Sequence, residues 1–193
     1  MTELREDALR VLRAWTPPDQ AQAGLRQEYV DHLEARPDGM WRTCQPDHVT
    51  AGALVVSADR QQVLLTLHAK ARRWFHLGGH CERGDETLAG AASREATEES
   101  GVVGLRLDVV PLHLDAHVVG FCSGHEQVRH LDVRFLAQAP EHAAHAVSDE
   151  SLDVQWWPFD DLPTDDPDMV RMVELARRRL EDPTQSTGSS AAI

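Results

Sequence analysis

Residues 79–102 read GHCERGDETLAGAASREATEESGV, and the placement of the carboxylates in this stretch decides the fold. From Glu86 to Ser100 the chain is rich in Ala and Glu, and Gly101 stands just past it, which predicts a helix over 86–100 with a glycine terminator. Counted at i, i+3, i+4 and i+7, the stripe expected to face the core begins with Leu88, Ala91 and Ala92. It continues with Glu95 and Glu99, so acids occupy positions that should stay apolar. At about 100° per residue, Glu98, Glu95 and Glu99 fall at about −60°, 0° and +40° and share one side. Each like-charged neighbour pair costs about 0.2–0.5 kcal/mol on an exposed helix, and more when desolvated. Something cationic has to offset this, and Arg94 alone cannot neutralise three acids. Oxygen ligands suit a hard divalent cation such as Mg²⁺, whereas the lack of Cys and His in this arc argues against zinc. A merely solvated acidic face would need the apolar stripe elsewhere on the helix.

Working outward, Gly78-Gly79 precede the helix and follow Trp74-Phe75, and paired glycines let backbone approach a ligand closely. Val49–Val56 and Val63–Leu67 read as strands across a Ser57–Arg60 turn. Further strands are expected over 105–118, 128–138 and Val154–Phe159, and a helix over Met169–Leu180. Leu4, Ala8, Leu12 and Trp15 recur at helical spacing before Pro17-Pro18. Asp19 is then placed to cap a second helix carrying Ala23, Leu25, Tyr29 and Leu33. Strands interleaved with long helices predict a layered α/β domain. The division expected is a helical segment over 1–45, the main domain over 46–182 and a flexible polar tail over 183–193.

The chain has 193 residues and a net charge of −13, enough for one self-sufficient core and the wrong sign for a nucleic-acid scaffold. Two stretches hold most of the excess: 141–182 is net −8 and 82–99 is net −4. Lys70, Arg72 and Arg73 form a small basic run that suits an anionic small molecule, with a solvated hairpin tip as the alternative. Cys44, Cys81 and Cys122 are too few and too scattered for a disulfide or zinc-finger framework. No apolar run approaches the ~20 residues of a membrane helix and the first residues lack a signal-peptide pattern. A cytoplasmic protein without a membrane or nucleic-acid partner is expected, with the choice between monomer and homodimer open.

The string Gly79-x6-Glu86-x7-Arg94-Glu95-Ala96-Thr97-Glu98-Glu99-Ser100-Gly101-Val102 resembles the signature of the Nudix hydrolases, Gly-x5-Glu-x7-Arg-Glu-U-x-Glu-Glu-x-Gly-U, where U is bulky and aliphatic. The resemblance spans residues 48–181 and departs from the pattern twice. One extra residue separates Gly79 from Glu86, leaving Asp85 at the regular spacing, so either acid is a candidate for the loop role; and Ala96 replaces the bulky aliphatic. The resemblance implies a Nudix-like α/β/α sandwich with a mixed sheet, preceded by the short N-terminal helical segment. It also implies Mg²⁺- or Mn²⁺-dependent hydrolysis of a nucleoside diphosphate linked to another moiety. Carried over by position, Glu95, Glu98, Glu99 and the Gly79 carbonyl are the metal ligands and Arg94 braces the loop acid. Glu98 is the first candidate for general base and Glu150 the second. Because a helix fixes geometry and a glycine loop absorbs insertions, counting from the helix side favours Glu86 as the acid braced by Arg94.

Lys70 and Arg72 are expected to reach phosphate oxygens from the lip of the cleft. His113, Asp115 and His117 alternate along one predicted strand, and His130 and Asp132 along the next. If these strands pair, a His/Asp patch forms, expected beside the glutamate helix, to grip a diphosphate or a second metal. Ordinary His–Asp hydrogen bonds on a polar sheet face are the alternative. Two other functions are weighed: a non-catalytic nucleotide-binding sensor of this fold, disfavoured because all three helix acids are present, and an isopentenyl-diphosphate isomerase-like enzyme. The isomerase needs a cysteine on a separate strand, whereas Cys81 lies in the glycine loop.

Overall fold

Strand β1 (Asp47–Val56) organises the sheet because nine of its ten residues are buried, polar His48 and Thr50 among them, as a central strand covered on both faces requires. The computed structural model describes residues 3–120, 127–148 and 151–182. Along one edge, β1 pairs in parallel with β6 (Val128–Gln138) over its full length. Along the other it pairs antiparallel with β4 (Leu77–His80) and then briefly with β2 (Gln62–His68). β2 continues to β3 (Trp74–Phe75) and β7 (Ser151–Pro158), and β6 to β5 (Arg106–Val119). The result is a seven-stranded mixed sheet.

Strand alternation sorts β1 between two layers. Val49, Ala51, Ala53 and Val55 join one apolar cluster with Leu88, Ala91, Ala92 and Ala96 of α3 (Leu88–Ser100). That cluster also takes Leu4, Leu12 and Trp15, from α1 (Glu3–Ala14) and the residue after it, and Tyr29 and Leu33 of α2 (Gln20–Ala35). Leu54 and Val56 pack instead with Met169, Met172 and Val173 of α4 (Pro167–Glu181). Helices therefore cover both faces, the α/β/α layering expected from the sequence.

The N-terminal helices are more than a lead-in, because they close polar groups of the main domain. Asp7 accepts the backbone N–H of Leu88 at 2.9 Å, satisfying a donor at the start of α3. Gln22 brackets Leu114 of the edge strand β5, donating to its carbonyl at 2.8 Å and accepting from its N–H at 2.7 Å. Asp19 caps α2 as expected, accepting from the Gln22 N–H.

Helix α3 begins at Leu88, two residues later than the sequence suggests. Thr87 is its N-cap, accepting from the Gly90 N–H at 3.0 Å, and Gly101 ends it at φ 70° in the left-handed region. The buried line runs Leu88, Ala91, Ala92, Ala96 and Ser100. Glu95 and Glu99 flank that line, because steps of i+4 carry the apolar stripe to Ala96, whose missing bulk suits close packing on the sheet.

Candidate active site

Gly79 and α3 meet so closely that any side chain at 79 would displace the Glu95 carboxylate. A Cβ added at Gly79 would stand 2.7 Å from Glu95 Oε2, inside any tolerable contact, so only glycine lets the glutamate lie against the strand. Beside it, the Gly78 N–H donates to Glu99 Oε2 at 2.9 Å. The strands themselves approach equally closely: a Cβ on Gly78 would come within 2.5 Å of the Gly52 Cα, its partner on β1.

Arg94 gathers the acids. Its Nε and Nη2 donate to the two oxygens of Asp85 at 3.0 and 2.9 Å, and Nη2 also reaches the His80 carbonyl at 3.0 Å. Its Nη1 donates to Glu95 at 3.0 Å and to Glu98 at 2.9 Å. Three carboxylates thus surround one guanidinium, with Glu99 beside them on the Gly78 N–H, and the excess negative charge expected from the sequence is present. The Glu98 side chain is the outermost at 59% exposure, against 15% for Glu95 and 7% for Asp85. Burial alone would raise the Asp85 carboxyl, but hydrogen bonds from Arg94 and the Glu82 N–H outweigh it and hold it below the usual range.

This corrects one expectation. Arg94 holds Asp85, whereas Glu86 is exposed on the segment leading into α3. The glycine end is not slack: β4 is locked in register to β1, and Asp85 closes a turn on Glu82 through both its N–H and its side chain. The inserted residue is taken up by Glu86, between that turn and the Thr87 cap.

The His/Asp patch forms across the predicted strand pair, with Asp115 opposite Asp132 and His117 opposite His130. It does not lie beside α3. His48, Thr50 and Gly52 of β1 alternate with the residues facing α3, and their partners His130, Asp132 and Arg134 of β6 do the same. The patch therefore occupies the opposite face of the sheet. Asp132 accepts from Arg134 at 2.8 Å and from Thr50 at 3.0 Å and lies 3.1 Å from His76 Nε2. Arg134 also bridges to Asp115 at 2.6 Å, and Asp115 pairs with His117 at 2.8 Å. Burial works against both acids, yet Arg134 with His76 holds Asp132 far below the usual carboxylate range, and His117 with Arg134 lowers Asp115. Burial opposes the His117 charge too, but Asp115 raises its pKa.

Besides His76 and Thr50, three participants escaped the sequence reading. Arg134 sits two residues from Asp132, and His48 two from Thr50, each at strand spacing that only the register brings together. Tyr29 donates to the Asp115 carbonyl at 2.6 Å from a helix remote in sequence. Of the other expected residues, Lys70 and Arg72 stand exposed on the turn from β2 to β3, while Arg73 is tied to Asp166 at 2.6 Å. Glu150 and Cys122 lie outside the described residues.

The donor set around Gly79 fits the hard divalent cation inferred from the sequence, since Glu95, Glu98 and Glu99 offer only oxygens and a glycine cradle holds one of them against the strand. Among the described residues no helix is long and apolar enough to cross a membrane.

Comparison with known proteins agrees with this geometry. The family model of the NUDIX domain matches residues 46–176. A NUDIX-family hydrolase from Clostridium perfringens superposes with a TM-score of 0.54 at 22% identity, covering 68% of this chain and 97% of that one. A C. elegans Ap4A hydrolase gives 0.55 at 18% identity, covering 69% and 97%. The NUDIX domain of Shewanella oneidensis NrtR, complexed with ADP ribose, gives 0.53 at 22%, covering 72% and 92%. No curated protein matches the chain. At these identities the structures establish the fold alone, and the family match over residues 46–176 shows that the chain belongs to the NUDIX domain family.

Proposed function

We propose that this Nudix-type hydrolase cleaves a diphosphate bond in a nucleoside diphosphate linked to another moiety, with Mg²⁺ or Mn²⁺ as cofactor. The observation that carries the reading is the gathering of Asp85, Glu95, Glu98 and Glu99 around Arg94 and the glycine strand. Glu95, Glu98, Glu99 and the Gly79 carbonyl would hold the cation. When bound, such an ion neutralises diphosphate oxygens and acidifies water.

The chain's own residues supply the rest. Glu98, the most exposed carboxylate of the group, takes the proton of the attacking water. Arg94 orients Glu95 and Glu98 and is itself anchored by Asp85. Lys70 and Arg72 supply positive charge to the substrate's phosphates from the β2–β3 turn. Glu150 is the second candidate for the base. The neighbours that are an Ap4A hydrolase and an ADP-ribose complex support a nucleotide-derived substrate. Buried, unpaired Cys44 and Cys81 suit a reducing, cytoplasmic setting.

A screen over dinucleoside polyphosphates, nucleotide sugars including ADP-ribose, nucleoside triphosphates and prenyl diphosphates, each with Mg²⁺ and Mn²⁺, tests the proposal. Metal-dependent phosphate-bond cleavage of a nucleotide derivative is the expected result. Binding without turnover would instead identify a sensor, and double-bond migration in a prenyl diphosphate an isomerase.

A further inference from the structure

Four histidines form a row across neighbouring strands on the face of the sheet away from the α3 carboxylates: His80 on β4, His48 on β1, His130 on β6 and His117 on β5. Register places them there. His48 pairs with His130, His130 with His117, and His80 stands opposite Thr50, one pleat along from His48. Three of the four converge. His48, His80 and His130 each offer one ring nitrogen, and these atoms lie within 4.8 Å of one another.

We propose that His48, His80 and His130 bind one borderline divalent transition-metal ion, Zn²⁺ being the best chemical match, at a site separate from the glutamate centre. The rings do not stack. Their centroids are 4.9 to 5.1 Å apart, at mutual tilts of 36°, 52° and 87°, an arrangement in which three imidazoles fan around a common point. His130 Nε2 is buried and has no hydrogen-bond partner, a cost that a bound ion removes. His48 Nδ1 lies 3.2 Å from the Cys44 carbonyl, the kind of contact that fixes the tautomer and direction of a metal-bound imidazole.

Ligand chemistry separates the two sites. Three neutral nitrogens suit Zn²⁺ or Co²⁺ and repay Mg²⁺ poorly, the reverse of the all-oxygen set on α3. Tetrahedral coordination at about 2.0–2.1 Å needs nitrogens roughly 3.3 Å apart, so ring rotations of about an ångström close the site. The fourth position is then open to water or to an anionic oxygen. Because His80 follows Gly79 directly, an ion held there also tethers the strand that cradles Glu95.

The test uses the full-length protein stripped of metal, then supplied with Zn²⁺ or Co²⁺ in the presence of excess Mg²⁺. One equivalent is expected to remain after dialysis, and Co²⁺ to give the intense visible absorption of a four-coordinate, nitrogen-ligated ion. His130→Asn and His80→Asn, each checked for folding by circular dichroism, should weaken Zn²⁺ binding by at least ~100-fold, beyond the loss expected for an outer-shell partner. Glu98→Gln and Glu99→Gln should retain the equivalent and the absorption. Failure to retain an equivalent, retention unchanged in both histidine variants, or loss in either glutamate variant would overturn the proposal. Because the readout is stoichiometry and absorption, it stands or falls independently of hydrolase activity.

Discussion

Replacing Asp85 and Glu86 one at a time separates the two readings of the loop by a measurable margin. In the structure Asp85 takes two hydrogen bonds from Arg94, at 3.0 and 2.9 Å, and its side chain is 7% exposed. Asp85→Asn removes the charge and one acceptor lone-pair set while keeping the shape. Hydrogen bonds to charged groups are worth about 1.5–3 kcal/mol each, and one of the two should survive on the amide oxygen, so the expected cost is about 1.5–3 kcal/mol. For a domain of this size that lowers Tm by about 3–12 °C. Glu86→Gln, at an exposed position, should stay within about 0.5 kcal/mol. Activity should follow the same order, because Arg94 released from Asp85 no longer fixes Glu95 and Glu98; kcat is expected to fall in the Asp85 variant with KM little changed. The pH dependence has a defined sign: the folded-state pKa of Asp85 is depressed, so its stability is present above the ordinary Asp value and is lost as pH falls through the folded one. Thermal melts from pH 7 down to 3 should show wild type losing stability faster than Asp85→Asn at the acid end. Equal melting losses in both variants, or a kcat defect confined to Glu86→Gln, would refute the assignment.

Four further outcomes follow from the carboxylate site and the polar sheet face. Glu98→Gln or Glu99→Gln should lower kcat by at least ~10²-fold, measured on the best substrate of the screen, with the fold retained. Millimolar Mg²⁺ or Mn²⁺ should raise Tm, since a ligand at 100 times its Kd contributes about 2.7 kcal/mol; an unchanged melt counts against the carboxylate site. Gly79→Ala, which drives a methyl to within 2.7 Å of Glu95, should abolish that metal-dependent rise, as followed by differential scanning fluorimetry. Arg134→Met leaves Asp132 buried without its guanidinium and should cost about 3–5 kcal/mol in denaturant unfolding, whatever the substrate.

The carboxylate helix was legible in the sequence because helical period and charge are local properties: Arg94, Glu95, Glu98 and Glu99 lie within one and a half turns, and Gly101 ends the helix where its type predicts. The strand faces were legible for the same reason, and the pairing of Asp115 with Asp132 and of His117 with His130 is the one the alternation allows. What the sequence could not supply is which layer each face meets. The parallel partnership of β1 with β6 sets His48 beside His130 across 82 residues of chain, and the direction of β1 then puts the whole polar row on the α4 side. The loop register failed for a related reason. Treating the glycine end as flexible assumes a loop, but Gly78 and Gly79 are strand residues paired with Gly52 and Ala51. Pairing makes both ends of the segment rigid, the helix by its own hydrogen bonds and the strand by its neighbour's. An extra residue then has to bulge between the Asp85 turn and the Thr87 cap, where no partner constrains it, and Glu86 is the residue found there.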